Sequence, residues 1–162
     1  MNAMDTQTPV ESGLRGQLSD FSSIVCFRAL MTGIEKIMGR AAHGTLAGAG
    51  RMRGRDLVES LGLEGKGFDG AEGSMRHALG EDGTQLCVIE QIERVDDETV
   101  IVRLSDTVES ASEPPGSDRR LGFTLGAVHG AVEALTGGKW TAKQTGSILQ
   151  GDNYDEITLR AR

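Results

Sequence analysis

Residues 121–140 read LGFTLGAVHGAVEALTGGKW, and the fold turns on what this stretch is. Gly122, Gly126 and Gly130 recur every four residues, with His129 between the last two. Placed at 100° per residue, residues 122–135 gather Phe123, Leu125, Ala127, Val128, Ala131, Val132, Ala134 and Leu135 on an arc of roughly 200°. So wide an apolar arc predicts a helix buried on more than one side. The glycines share the remaining strip with His129 and Glu133. Each costs about 1 kcal/mol relative to alanine inside a helix. A neighbouring backbone that needs close access would offset that cost. His129 and Glu133 are four apart and so can touch. A zinc site would need a third protein ligand, which the pattern does not supply. The stretch reads as a packing helix with a polar edge.

Downstream, KWTAKQTGSILQ and DEITLRAR flank Gly151-Asp152-Asn153 as a closing hairpin. Ile157, Leu159 and Ala161 alternate with Glu156, Thr158 and Arg160, as in a strand with one wet face. Upstream, ESASEPPGSDRR reads as a mobile, polar surface loop. Before it, TQLCVIEQIERV and ETVIVRL are rich in β-branched residues around the turn signal Asp96-Asp97, which predicts a second hairpin.

The chain's first half is helical in pattern. Ile24, Phe27, Met31, Ile34 and Met38, widened by Leu30 and Ile37, predict an amphipathic core helix from about Ser22 to Gly39, capped by Ser19 or Asp20. AAHGTLAGAG and RMRGRDLVESLGL then read as two short helices broken by glycines, with Gly62 ending the second. EGKGFDGAEG is a loop, and SMRHAL one or two helical turns. The order predicts an α+β domain: N-terminal helices, and an antiparallel four-stranded sheet made of two hairpins joined by the glycine-containing helix. Residues 1–20 read as a disordered lead-in and 21–162 as one domain.

Bulk properties narrow the function. The 162 residues carry a formal charge of −7, which disfavours nucleic acid as a partner. No apolar run is long enough to span a membrane. Cys26 and Cys87 are too few and too far apart for a disulfide framework or thiolate metal site, and a reducing cytoplasm is the expected compartment. Arg51, Arg53 and Arg55 in GRMRGR could bind a phosphate or an acidic partner, although such runs are more often solvated. His43 and His77 have no partner at ligand spacing. GTLAGAG lacks the strand before it and the Gly-Lys-Ser/Thr after it that a phosphate loop requires. Trp140 reads as core filling, or as the wall of a pocket.

Three segments resemble the 4-vinyl reductase domain family, over roughly residues 24–162: the opening RALMTGIEKIMGRAAHGTLAGAGRMRGRDLVESLG, the glycine helix, and the closing TGSILQGDNYDEITLRAR. Many members carry cysteines around the closing hairpin, where this chain has Ser147 and Asp155. No metal ligand is therefore carried over, and no cofactor is expected. The resemblance implies an apolar cavity between helices and sheet, often in a homodimer, in a fold shared with small trafficking-complex subunits that bind an acyl chain. The expected function is non-catalytic binding of a small hydrophobic ligand, tetrapyrrole-related or an acyl chain, with Phe27, Leu30, Phe123 and Trp140 as lining residues. The alternative is a dimeric scaffold that contacts a protein client without a ligand. An enzyme acting on a tetrapyrrole vinyl group ranks third, because no nicotinamide or flavin motif is present.

Overall fold

A computed structural model describes residues 23–69, 71–80 and 83–162. The lead-in 1–20 and the Ser19 or Asp20 cap lie outside these residues. The elements run α1 (Ile24–Met38), α2 (Ala41–Ser60), α3 (Ala71–Leu79), β1 (Val88–Arg94), β2 (Thr99–Ser105), α4 (Phe123–Thr136), β3 (Trp140–Gly146) and β4 (Asp155–Ala161). The four strands form one antiparallel sheet in the order β1-β2-β4-β3. The α+β architecture, the two hairpins and the joining helix are as the periodicities predict.

The sheet's inner face is made by alternation. Val100, Val102 and Leu104 of β2 and Ile157 and Leu159 of β4 are fully covered, while Thr99, Ile101 and Arg103 turn outward. α4 is the central element, with ten of its fourteen residues buried. The reason its glycines persist is α2. A Cβ on Gly126 would lie 2.0 Å from the Ala47 carbonyl oxygen, and one on Gly130 2.0 Å from that of Arg51. The contact is reciprocal: Gly50 and Gly54 of α2 would bring a Cβ to 2.0 Å and 1.9 Å from the carbonyl oxygens of Phe123 and Ala127. Two Gly-xxx-Gly rows therefore face each other, backbone against backbone, close enough for Cα–H···O contacts. For the same reason α2 is one continuous helix rather than two short ones. Gly50 and Gly54 do not break it, because packing against α4 outweighs their low propensity. Gly62, at φ +65°, follows its end as expected.

Three further expectations change. α3 begins at Ala71, earlier than SMRHAL indicates, because Ala71 and Met75 are both core residues on one face. β3 stops at Gly146, and Ile148–Gln150 forms a short 3₁₀ turn that tucks Leu149 inside. α1 joins the core only at its margin: Met31 is its one buried residue, with Phe27 and Ile34 packed against the core, and it begins at the cap Ser23, whose Oγ accepts the Val25 N–H at 3.2 Å.

The segment 109–120 is tied down rather than loose. Glu109, 3% exposed, accepts the N–H groups of Gly122 (3.1 Å) and Thr124 (2.8 Å) and the Thr124 hydroxyl (2.6 Å). It thus caps α4 from outside the helix, where Gly122 offers no side chain to do so. Glu113 accepts from Arg28 of α1 (2.8 Å), Arg119 (2.7 Å) and Ser117 (3.0 Å), and Arg119 also pairs with Glu35. Buried Asp155 gathers Thr107 (2.7 Å), Ser110 (2.8 Å) and the Ile148 N–H (3.1 Å). Among the described residues, no helix is long and apolar enough to cross a membrane.

Candidate functional site

A partly open cleft of about 670 Å³ lies where α1, α2, α3 and α4 converge. Its walls are Ile24 and Phe27 of α1, Arg53 of α2, Leu79 of α3, Gly83–Leu86, Val108 and Phe123 of α4. The floor is held by backbone hydrogen bonds that also satisfy its polar groups: Thr84 N–H to Ala78 C=O (2.8 Å), Leu86 N–H to Leu79 C=O (2.9 Å) and Val108 N–H to Leu86 C=O (3.2 Å). Phe27 and Phe123 meet edge to face with centroids 5.2 Å apart and planes at 81°, the geometry favoured by ring quadrupoles. The position of Phe123 is fixed twice, because its carbonyl abuts Gly50 and it opens the helix that Glu109 caps. At the rim Gln85 has φ +52°, a conformation costing about 1–2 kcal/mol for a residue with a Cβ.

The four residues expected to line a pocket thus separate. Phe27 and Phe123 come together in the cleft. Leu30, 59% exposed, points outward from α1. It does so although it belongs to the same apolar stripe as Phe27. Trp140 is 6% exposed and packs elsewhere, with its Nε1–H donated to Thr136 Oγ1 at 2.8 Å. It borders a separate, smaller cleft of about 370 Å³ that includes Lys66, Phe68, Arg94, Asp96 and Asp97. Leu79, Leu86 and Val108 were not singled out by periodicity, because two of the three lie between regular elements.

Glu133 and His129 form a second cluster. The Glu133 carboxylate, 2% exposed, accepts Arg51 Nε and Nη2 (2.8 and 2.6 Å), Arg55 Nη2 (2.6 Å) and the Trp140 N–H (3.2 Å). Burial opposes its charge, but the hydrogen bonds of Arg51 and Arg55, with the Trp140 N–H and the charge of His129, hold its pKa down at about 2. His129 Nε2 donates to the Trp140 carbonyl at 2.9 Å and lies 3.5 Å from the Glu133 carboxylate. Arg51 and Arg55 are therefore neither a phosphate patch nor merely solvated. With four donors occupying its oxygens, Glu133 clamps α2, α4 and the start of β3. Among the described residues, no group of three or more His, Cys, Asp or Glu could hold a metal ion.

No model of a known protein family matches the chain, and no curated protein matches its sequence. Its fold is similar to solved structures. One is the phenol-responsive sensory domain of the transcription activator PoxR with phenol, at TM-score 0.63 and 13% identity over 88% of this chain and 76% of that one. Another is a trafficking protein particle complex subunit 3 from Naegleria fowleri covalently bound to palmitic acid, at TM-score 0.57 and 16% identity over 86% of this chain and 92% of that one. At such identities the likeness concerns the fold.

Proposed function

We propose that this chain is a non-catalytic, cytoplasmic binding domain of the 4-vinyl reductase type. It would take a small hydrophobic ligand, such as an acyl chain or a tetrapyrrole-related molecule, in the cleft between Phe27 and Phe123. The observation that carries the reading is the cleft itself, about 670 Å³ with six apolar side chains in its walls. That size and lining are typical of small-molecule sites. The two fold neighbours, one a phenol-responsive domain and the other holding palmitic acid, support the same class of ligand. The non-catalytic part is supported by how the perturbed groups are used. Glu133 is saturated with donors, and burial, with the nearby charges of Glu109, Asp106 and Asp155, pushes the Cys87 thiol up to about 12. Two free thiols favour a reducing compartment.

The test is titration with N-phenyl-1-naphthylamine, an uncharged dye that brightens in apolar sites. Saturable binding that Thr84→Trp, at the cleft wall, abolishes without loss of stability is the expected result. Non-saturable fluorescence, or binding indifferent to that substitution, would defeat the reading. The dimeric scaffold has one observation in its favour. Cys26, Leu30, Gly33 and Ile37 repeat at helical spacing along α1, with Leu30 59% and Ile37 86% exposed. Sedimentation that reports a dimer in the wild type and a monomer in Ile37→Glu would support it, and a monomeric wild type would end it.

A further inference from the structure

Among the described residues, the walls of the cleft carry one formal charge. Ile24, Phe27, Leu79, Leu86, Val108 and Phe123 are apolar, and among the described residues no carboxylate borders the space and Arg53 is the single ionised side chain. Its position follows from helix geometry. Arg51 and Arg55, four apart, lie on the face of α2 that meets Glu133, whereas Arg53 is two residues from each and turns about 200° away from them. Every other arginine that is not exposed (28, 51, 76, 103 and 119) is paired with a carboxylate. Arg53 is the exception among the described residues, with neither a hydrogen bond nor an ion pair.

A half-buried guanidinium among apolar groups loses hydration that only an anion restores well. Its planar fork fits a carboxylate in two parallel hydrogen bonds. The chain itself contains that geometry, in Arg51 Nε and Nη2 on the carboxylate of Glu133 at 2.8 and 2.6 Å. Ser23 also borders the cleft, and since its Oγ accepts the Val25 N–H, its own hydrogen remains to be donated.

We propose that the ligand of this cleft is an amphipathic carboxylate, with its apolar body against the Phe27–Phe123 pair and its carboxylate on Arg53. This rests on the cleft being a site for an apolar ligand, and it adds the headgroup. A lone guanidinium in an acidic chain selects such a molecule twice over: anions lacking an apolar body gain too little, and neutral hydrocarbons leave Arg53 without a partner.

The test is displacement of N-phenyl-1-naphthylamine by decanoate and by 1-decanol, which share an apolar body and differ in the headgroup. The expected result is binding of decanoate roughly 10-fold tighter or more near neutral pH, since hydrogen bonds to charged groups are worth about that much. Arg53→Gln should bring the two ligands to equal affinity, and Arg53→Lys should keep part of the preference. Raising salt from about 0.05 to about 0.5 M should weaken decanoate alone. Equal displacement by both in the wild type, or a decanoate preference that survives Arg53→Gln, would overturn the assignment of the headgroup while the apolar site stands. If the dye binds and neither compound displaces it, the carboxylate assignment fails while the apolar site stands; if the dye does not bind, the apolar site fails and the carboxylate with it.

Discussion

Alanine at Gly54 should destabilise the protein, whereas alanine at Gly48, six residues earlier in the same helix, should stabilise it. Both substitutions raise helix propensity by about 1 kcal/mol. They differ in what the new methyl meets. At Gly48 the new methyl meets no atom of the described residues within 4 Å beyond its own helix backbone, whereas at Gly54 the Ala127 carbonyl oxygen lies at 1.9 Å. Ordinary contact begins at 3.4 Å, so the helices would have to separate by about 1.5 Å (3.4 − 1.9). Both sides of the contact are backbone, so no rotamer change relieves it. Overpacking costs about 1–3 kcal/mol where side chains can adjust, and this site belongs at the upper end. Less the propensity gain, the net loss is about 2 kcal/mol, or roughly 4–8 °C in Tm for a chain of this size. Gly48→Ala should raise Tm by roughly 2–4 °C. Urea unfolding followed by the fluorescence of buried Trp140, the only tryptophan, measures both. Shifts of the same sign for the two variants would refute the account of the glycine rows.

The Glu133 clamp should show in acid. Its folded pKa, about 2, is depressed from the ordinary 4.5, so its stabilisation is complete above about pH 4.5 and is lost as pH falls toward 2. In Glu133→Gln, equilibrium unfolding should show about 2 kcal/mol less stability near neutral pH, and the difference from wild type should shrink on acidification. A constant difference down to pH 2 would contradict the assignment. A native thiol assay with a disulfide reagent should titrate Cys26 alone, because Cys87 is 3% exposed with its pKa raised to about 12. Two reacting thiols in the folded protein would disprove that burial.

What could be read from the residues follows from which physical signals are local. The period-2 alternation of Val100, Val102 and Leu104 specified β2, and the four-residue glycine spacing anticipated a backbone neighbour for α4. The identity of that neighbour was not legible. Gly50 and Gly54 look like helix breakers until they are set opposite Phe123 and Ala127. The cleft was legible only at Phe27 and Phe123. Leu30 shares their periodicity, but a helix wheel shows which residues are apolar and not how wide a strip the neighbours cover. Trp140 is bulky and inward, as expected, yet it borders a different space. Arg53 could not be told apart from Arg51 and Arg55 inside GRMRGR, because charges two apart look equivalent along the chain and diverge only once α2 is docked. Glu109 was read as part of a polar loop, although a helix lacking a capping side chain needs an acceptor from elsewhere.

The two sides of the cleft answer to different conditions. Phe123 and Arg53 belong to the α2–α4 seam, where main chain meets main chain at the glycine rows and no titrating group takes part in that contact. Phe27 rides on α1, which is moored through Arg28, Glu113, Arg119 and Glu35. Hydrogen bonds from Arg119 and Ser117 keep the Glu113 carboxyl ionised below its usual range against the pull of burial, so protonating it casts off that mooring. Acidification strong enough to do so frees the α1 jaw of the binding space, while the glycine rows still hold α2 against α4 at the other.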